Sequence, residues 1–152
     1  MTVAALITGA VLCPPLAQAT EAESALPGDI NGDHIIDLVV SAPGESVAGS
    51  PWTGAVTVFR GNAEYGITTS DIDWFSRWKA LGSIGMSQHQ CWSQNLALGD
   101  FNRDGYGDVV IADPCEGNTS DPTVADQGSI LVMYGSANGL RREGGFRFVW
   151  DD

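Results

Sequence analysis

Asp29-Ile30-Asn31-Gly32-Asp33-His34-Ile35-Ile36-Asp37 runs directly into the apolar stretch Leu38-Val39-Val40 and then Ser41-Ala42-Pro43. About seventy residues later the pattern returns as Asp100-Phe101-Asn102-Arg103-Asp104-Gly105-Tyr106-Gly107-Asp108, ahead of Val109-Val110-Ile111-Ala112. Both copies read D-x-N-x-D-x-x-x-D. Acidic or amide groups at positions 1, 3, 5 and 9 of a tight loop supply oxygen ligands, the kind a hard cation of calcium's size takes. At an effective dielectric near 20, two carboxylates about 4 Å apart repel by about 4 kcal/mol, so three in one loop call for a divalent ion among them. The expectation is one calcium ion in each loop.

An EF-hand would place a bidentate Glu at position 12 and a helix on either side. Position 12 here is Val40 or Ile111, and both exits are short and β-branched, which predicts strands. A dockerin-type pair fails for the same reason. Asp, Asn and Gly also favour plain turns, and one loop alone would not separate the two readings. Two copies with a shared spacing and exit favour the metal. His34 holds position 6 of the first loop, where the second has Gly105. A histidine enters the left-handed region at a cost that glycine does not bear, so the first site is expected to be the weaker. His34 itself reads as a turn residue, since calcium prefers oxygen.

The 152 residues have room for one domain of ordinary size. A net charge of −12 with only 7 Lys and Arg excludes the basic patch that nucleic acid or an anionic membrane surface requires. Six of the 19 acidic residues lie in the two loops, where two calcium ions would offset four of the twelve negative charges. Nineteen Gly and seven Pro suit an all-β chain with many turns.

Val3 to Leu12 is apolar but too short to span a bilayer, and Ala17-Gln18-Ala19 offers an A-x-A cleavage signal. Residues 1–19 therefore read as a signal peptide without a basic n-region, and the protein as exported. Lipidation at Cys13 is disfavoured by Leu12 before it. Cleavage after Ala19 leaves Cys91 and Cys115, which in an exported protein suggest a disulfide; two free thiols are the alternative.

Residues 20–27 read as a polar, acidic linker. A first unit over 28–81 has strands at Asp37–Ser41 and Gly54–Phe59 and an irregular third at Trp74–Leu81, with none ahead of its loop. A second unit over 82–152 has strands at Gln94–Leu98, Asp108–Ala112, Gly128–Tyr134 and from Phe146 to Trp150. Repeats of about seventy residues with about four strands are sheets of a radial array.

The calcium-type loop, the strand after it, Ser41-Ala42-Pro43-Gly44, Gly-x-x-x-Val-x-x-Gly and a closing Gly139-Leu140 together resemble the FG-GAP repeat, found in the β-propellers of integrin α-subunits and in many bacterial exported proteins. The likeness covers roughly residues 28–140. Ala112-Asp113-Pro114 matches only partly, and Cys91-Trp92-Ser93 stands where Phe-Gly is usual. The resemblance implies an all-β fold, two four-stranded antiparallel blades of an incomplete FG-GAP-type β-propeller. It also implies calcium held by Asp29, Asn31, Asp33, the Ile35 carbonyl and Asp37, and by Asp100, Asn102, Asp104, the Tyr106 carbonyl and Asp108. Family propellers close with about seven blades, so further blades from this or another chain are needed.

No G-x-S-x-G, H-E-x-x-H, C-x-x-C or G-x-G-x-x-G is present, and the only histidines are His34 and His89, the latter in a polar loop. Catalysis is unsupported. Of the five tryptophans (Trp52, Trp74, Trp78, Trp92, Trp150), most are expected to fill contacts between blades, with Trp52 the best candidate for sugar stacking. Asn118-Thr119-Ser120 is a glycosylation sequon, and Arg141-Arg142 reads as a solvated turn. The expected function is an exported, non-catalytic recognition or adhesion module for an extracellular protein or carbohydrate, with no membrane span. The alternatives are a propeller segment of a larger exported hydrolase or lyase, or a gene fragment.

Overall fold

The computed structural model describes residues 25–47, 49, 51–81, 91–116 and 127–149. The signal-peptide reading, Cys13, residues 20–24 of the linker, His89, the sequon and Trp150 lie outside them. Seven strands form two antiparallel sheets. The first has the order β1-β2-β3, from β1 (Leu38–Ala42), β2 (Ala55–Asn62) and β3 (Gly66–Ser76). The second has the order β4-β5-β6-β7, from β4 (Asn95–Gly99), β5 (Asp108–Asp113), β6 (Ser129–Tyr134) and β7 (Arg141–Val149). Among the described residues nothing in the first sheet corresponds to β4.

The expected irregular strand over Trp74–Leu81 is corrected. β3 begins at Gly66, after a turn in which Asn62 Oδ1 accepts the N–H groups of Glu64 (2.9 Å) and Tyr65 (3.2 Å). It ends at Ser76, whose hydroxyl accepts the N–H of Lys79 at 3.2 Å and so caps α1 (Arg77–Leu81). β7 likewise starts earlier than the alternation of Phe146 and Phe148 suggested, so Arg141 and Arg142 open a strand and do not form a solvated turn.

The sheets stack in one direction. Register puts Val39, Val56, Val58 and Phe75 on one face of the first sheet and Val109, Ile111, Leu131 and Met133 on one face of the second. These residues, with Ile30 and Trp92, belong to a single apolar cluster. Each fully buried side chain of this size contributes about 1.5–3 kcal/mol. Matched by register, Val109, Ile111 and Met133 are the counterparts of Leu38, Val40 and Phe59. The first sheet therefore presents its Val39 and Val56 face to the second, and the second receives it on the face that corresponds to Leu38 and Val40 of the first. Leu38 and Val40, on the other face of the first sheet, stay exposed, as do Phe146 and Phe148 on the far side of the second.

Candidate metal centre

The two loops agree almost bond for bond. Asp29 Oδ1 accepts Asp33 N at 3.1 Å and its Oδ2 accepts His34 N at 2.9 Å; Asp100 takes Asp104 N and Gly105 N in the same way, both at 3.1 Å. Asn31 and Asn102 each donate Nδ2 to the aspartate two residues on, at 2.9 and 2.8 Å. Asp33 Oδ1 and Asp104 Oδ1 accept the N–H groups of Ile35 and Tyr106, at 2.9 and 3.0 Å. Position 9 closes each loop. Asp37 accepts Ile30 N (3.0 Å) and Gly61 N (2.8 Å), while Asp108 accepts Phe101 N (2.8 Å) and Gly135 N (2.9 Å). Each ninth aspartate thus ties its loop both to its own start and to the end of the second strand after it.

Asp37 and Asp108 are buried, and burial raises both carboxyls above their ordinary range against the pull of those N–H groups. The charges of Asp33 and Asp104 push the same way. Strands, not helices, leave both loops, and the ninth aspartates point inward. The candidate donors are oxygens throughout, which suits a hard cation. Among the described residues no three Asp, Glu, His or Cys side chains are gathered as a ready metal cage. The loop carboxylates lean on backbone N–H groups.

Differences between the loops are local. His34 sits at φ 65° and Gly105 at φ 85°, so position 6 demands the left-handed region in both. Asp29 is buried, whereas Asp100 is half-buried and also accepts Ala25 N at 3.2 Å. In the second loop alone, Arg141 Nη2 reaches Asp104 Oδ2 at 3.2 Å. The loops also touch. Gly107 N donates to the Asp29 carbonyl at 2.6 Å, and a Cβ on Gly107 would lie 2.8 Å from that oxygen, which reserves the position for glycine.

Residues 22–59 match the model of the FG-GAP repeat. Integrin alpha-PS3 of Drosophila melanogaster is 34% identical over 78% of the chain. Phosphatidylinositol-glycan-specific phospholipase D is 32% identical over 72% of it in Dictyostelium discoideum and 35% over 73% in Rattus norvegicus. The chain belongs to the FG-GAP repeat family. It spans 9%, 12% and 13% of the lengths of these curated relatives. The two sheets are consistent with partial propeller blades of that family, and among the described residues no helix is long and apolar enough to cross a membrane.

In this FG-GAP chain, Trp92-Ser93 does the work of Phe-Gly. Trp92 is 1% exposed in the core, and Ser93 adopts φ 64°, the conformation glycine takes freely. Ser93 Oγ donates to the Ala55 carbonyl at 3.1 Å and meets Ser41 Oγ at 3.2 Å, tying the second blade's lead-in to the first blade. Cys91 and Cys115 form a disulfide with Cα atoms 5.5 Å apart. Of the other tryptophans, Trp52, Trp74 and Trp78 are exposed.

Sequence reading missed a buried ion cluster. Arg77, on α1 of the first blade, donates Nε to Asp113 Oδ2 at 3.1 Å and pairs through Nη2 with Glu116 Oε1. Arg147 Nη2 reaches the same Glu116 oxygen at 2.6 Å, and the Ser129 hydroxyl donates to Oε2 at 2.8 Å. Arg77, Asp113 and Glu116 are all buried. Burial pushes Asp113 up, with Arg77 opposing it. At Glu116 burial also works to raise the carboxyl, but Arg147, Ser129 and Arg77 together outweigh it and hold it below the ordinary range. The available signal was Asp113 standing in the Ala-Pro element and Arg77 following the cap Ser76; neither names its partner.

Proposed function

We propose that this chain is a calcium-stabilised segment of an exported FG-GAP propeller whose role is recognition of an extracellular protein or carbohydrate. The observation that carries the calcium reading is the bond-for-bond agreement of two all-oxygen loops, each closed by a buried ninth aspartate. Asp29, Asn31, Asp33, the Ile35 carbonyl and Asp37 would hold one ion, and Asp100, Asn102, Asp104, the Tyr106 carbonyl and Asp108 the other. A bound ion supplies positive charge where carboxylates crowd. The chain's own contribution is to fix each loop against the strand end that carries Gly61 or Gly135. Recognition as the role rests on the likeness to an integrin alpha. A second reading, a propeller segment of a larger exported enzyme, is favoured by the likeness to phosphatidylinositol-glycan-specific phospholipase D.

Calorimetric titration with calcium tests the metal, paired with thermal melting in excess chelator. Two binding events are expected, with a melting temperature lower by at least about 10 °C in chelator. Asp104→Ala should remove one event and leave the other. No heat of binding, or an unchanged stoichiometry in Asp104→Ala, would overturn the assignment.

A further inference from the structure

The two blades carry the same corner in two conditions. In both, the residue three positions after the end of the first strand following the loop closes a turn, with Gly54 N donating to the Glu45 carbonyl at 3.0 Å and Gly128 N to the Glu116 carbonyl at 2.8 Å. Strand register then equates Ala42 with Asp113, Ala55 with Ser129, Thr57 with Leu131 and Trp74 with Arg147. In the second blade this corner is filled by Arg77 of the first. In the first blade it is an open cleft of about 350 Å³, lined by Ala42, Glu45, Ala55, Thr57 and Trp74 among others.

Charge is matched across the two corners. Asp113 and Glu116 with Arg147 leave one negative charge for Arg77 to neutralise. Ala42 and Trp74 replace the Asp113 and Arg147 pair by neutral groups, and Glu45 again leaves one negative charge. Trp74 adds a ring face on which a guanidinium stacks well. Lys79 Nζ lies 5.4 Å from that ring but is held by the Trp74 carbonyl at 2.8 Å and does not line the cleft. The apolar surface beside the cleft, Leu38 and Val40, matches Val109 and Ile111, which the first blade covers completely.

We infer that the cleft at Glu45 is the receptor for an arginine, presented by a further FG-GAP-type blade that covers the exposed face of the first sheet as the first sheet covers the second. A second copy of this chain does not meet the requirement, because its residue corresponding to Arg77 is Trp150. This proposal stands whether or not the loops take calcium.

The test uses the full chain and, as probe, a synthetic peptide of residues 74–81, capped at both ends, with an otherwise identical peptide carrying Arg77→Gln. Titration is followed by NMR at the Ala42 and Ala55 methyls and the Trp74 indole. The arginine peptide should give saturable shifts there, and binding should weaken at least about tenfold with the Gln peptide or with Glu45→Gln in the chain. Glu45 is exposed, so that variant leaves the fold intact. Equal binding of the two peptides, indifference to Glu45→Gln, or shifts confined to the Phe146 and Phe148 face would overturn the proposal. Sedimentation showing that the chain pairs with itself through the Trp74 face, unaffected by the peptide, would also overturn it and name a second copy as the occupant.

Discussion

The two blades share a plan and differ in what lies on them. Their loops use one hydrogen-bond scheme, yet the second blade is enclosed by its neighbour and the first is open on the equivalent face. Val109 and Ile111 are buried to 0% and 1% exposure, while their counterparts Leu38 and Val40 remain 46% and 39% exposed. The same local sequence pattern therefore yields either core or surface, depending on whether another blade arrives. In a repeat array, the stability of a unit is its own term plus the interface with the unit beside it.

The sharpest way to break this comparison is at the corner. Arg77→Ala leaves Asp113 and Glu116 buried beside Arg147 with one negative charge uncompensated, and should cost about 3–5 kcal/mol in urea denaturation. Glu45→Ala, at the counterpart of Glu116 on the open face, should change stability by less than about 0.5 kcal/mol. If the two costs match, the corners are not in different conditions. The cluster also has a pH signature. Glu116 is held below its ordinary 4.5, so the stability it contributes is complete above the unfolded value and is lost as pH falls through the folded one. Asp113 is raised, so its ionised form opposes folding at neutral pH, and that cost disappears once pH falls below its unfolded value. Glu116→Gln should flatten the fall in stability below about pH 4.5, measured by denaturation at stepped pH.

Next in size is the disulfide, which braces only the second blade. Replacing Cys91 and Cys115 together by Ser should lower stability by about 3 kcal/mol, read from the same denaturation curves. At the ninth loop position, Asp37→Ala and Asp108→Ala each orphan two backbone N–H groups. Measured in chelator, each should cost about 2 kcal/mol and the two should agree closely. A large disparity would show that the loops are alike in pattern but not in energy. The smallest effect distinguishes position 6. His34→Gly relieves a left-handed histidine and should tighten the first site by about fivefold in calcium titration, about 1 kcal/mol.

Much of the architecture was legible because it is written in local patterns. D-x-N-x-D-x-x-x-D places acceptors where the loop's own N–H groups fall, and Val109-Val110-Ile111 can only continue as a strand. Trp74–Leu81 was misread because two short-range signals were overlooked. Asn62 builds the turn that starts β3, and Ser76 caps the helix that ends it. Arg141 was misread for a different reason: its partner Asp104 lies 37 residues away in sequence.

The sequence by itself determined the two loops and most of the strands, since each depends on neighbours a few residues apart, and the offset between repeats followed from setting the two copies side by side. Tertiary structure alone decided that blades stack in one direction, that Arg77 meets Asp113 and Glu116, and that Leu38 and Val40 stay uncovered. Those outcomes depend on which surfaces meet across tens of residues. A pattern that encodes backbone hydrogen bonds within one loop or strand carries no record of the face that will lie against it.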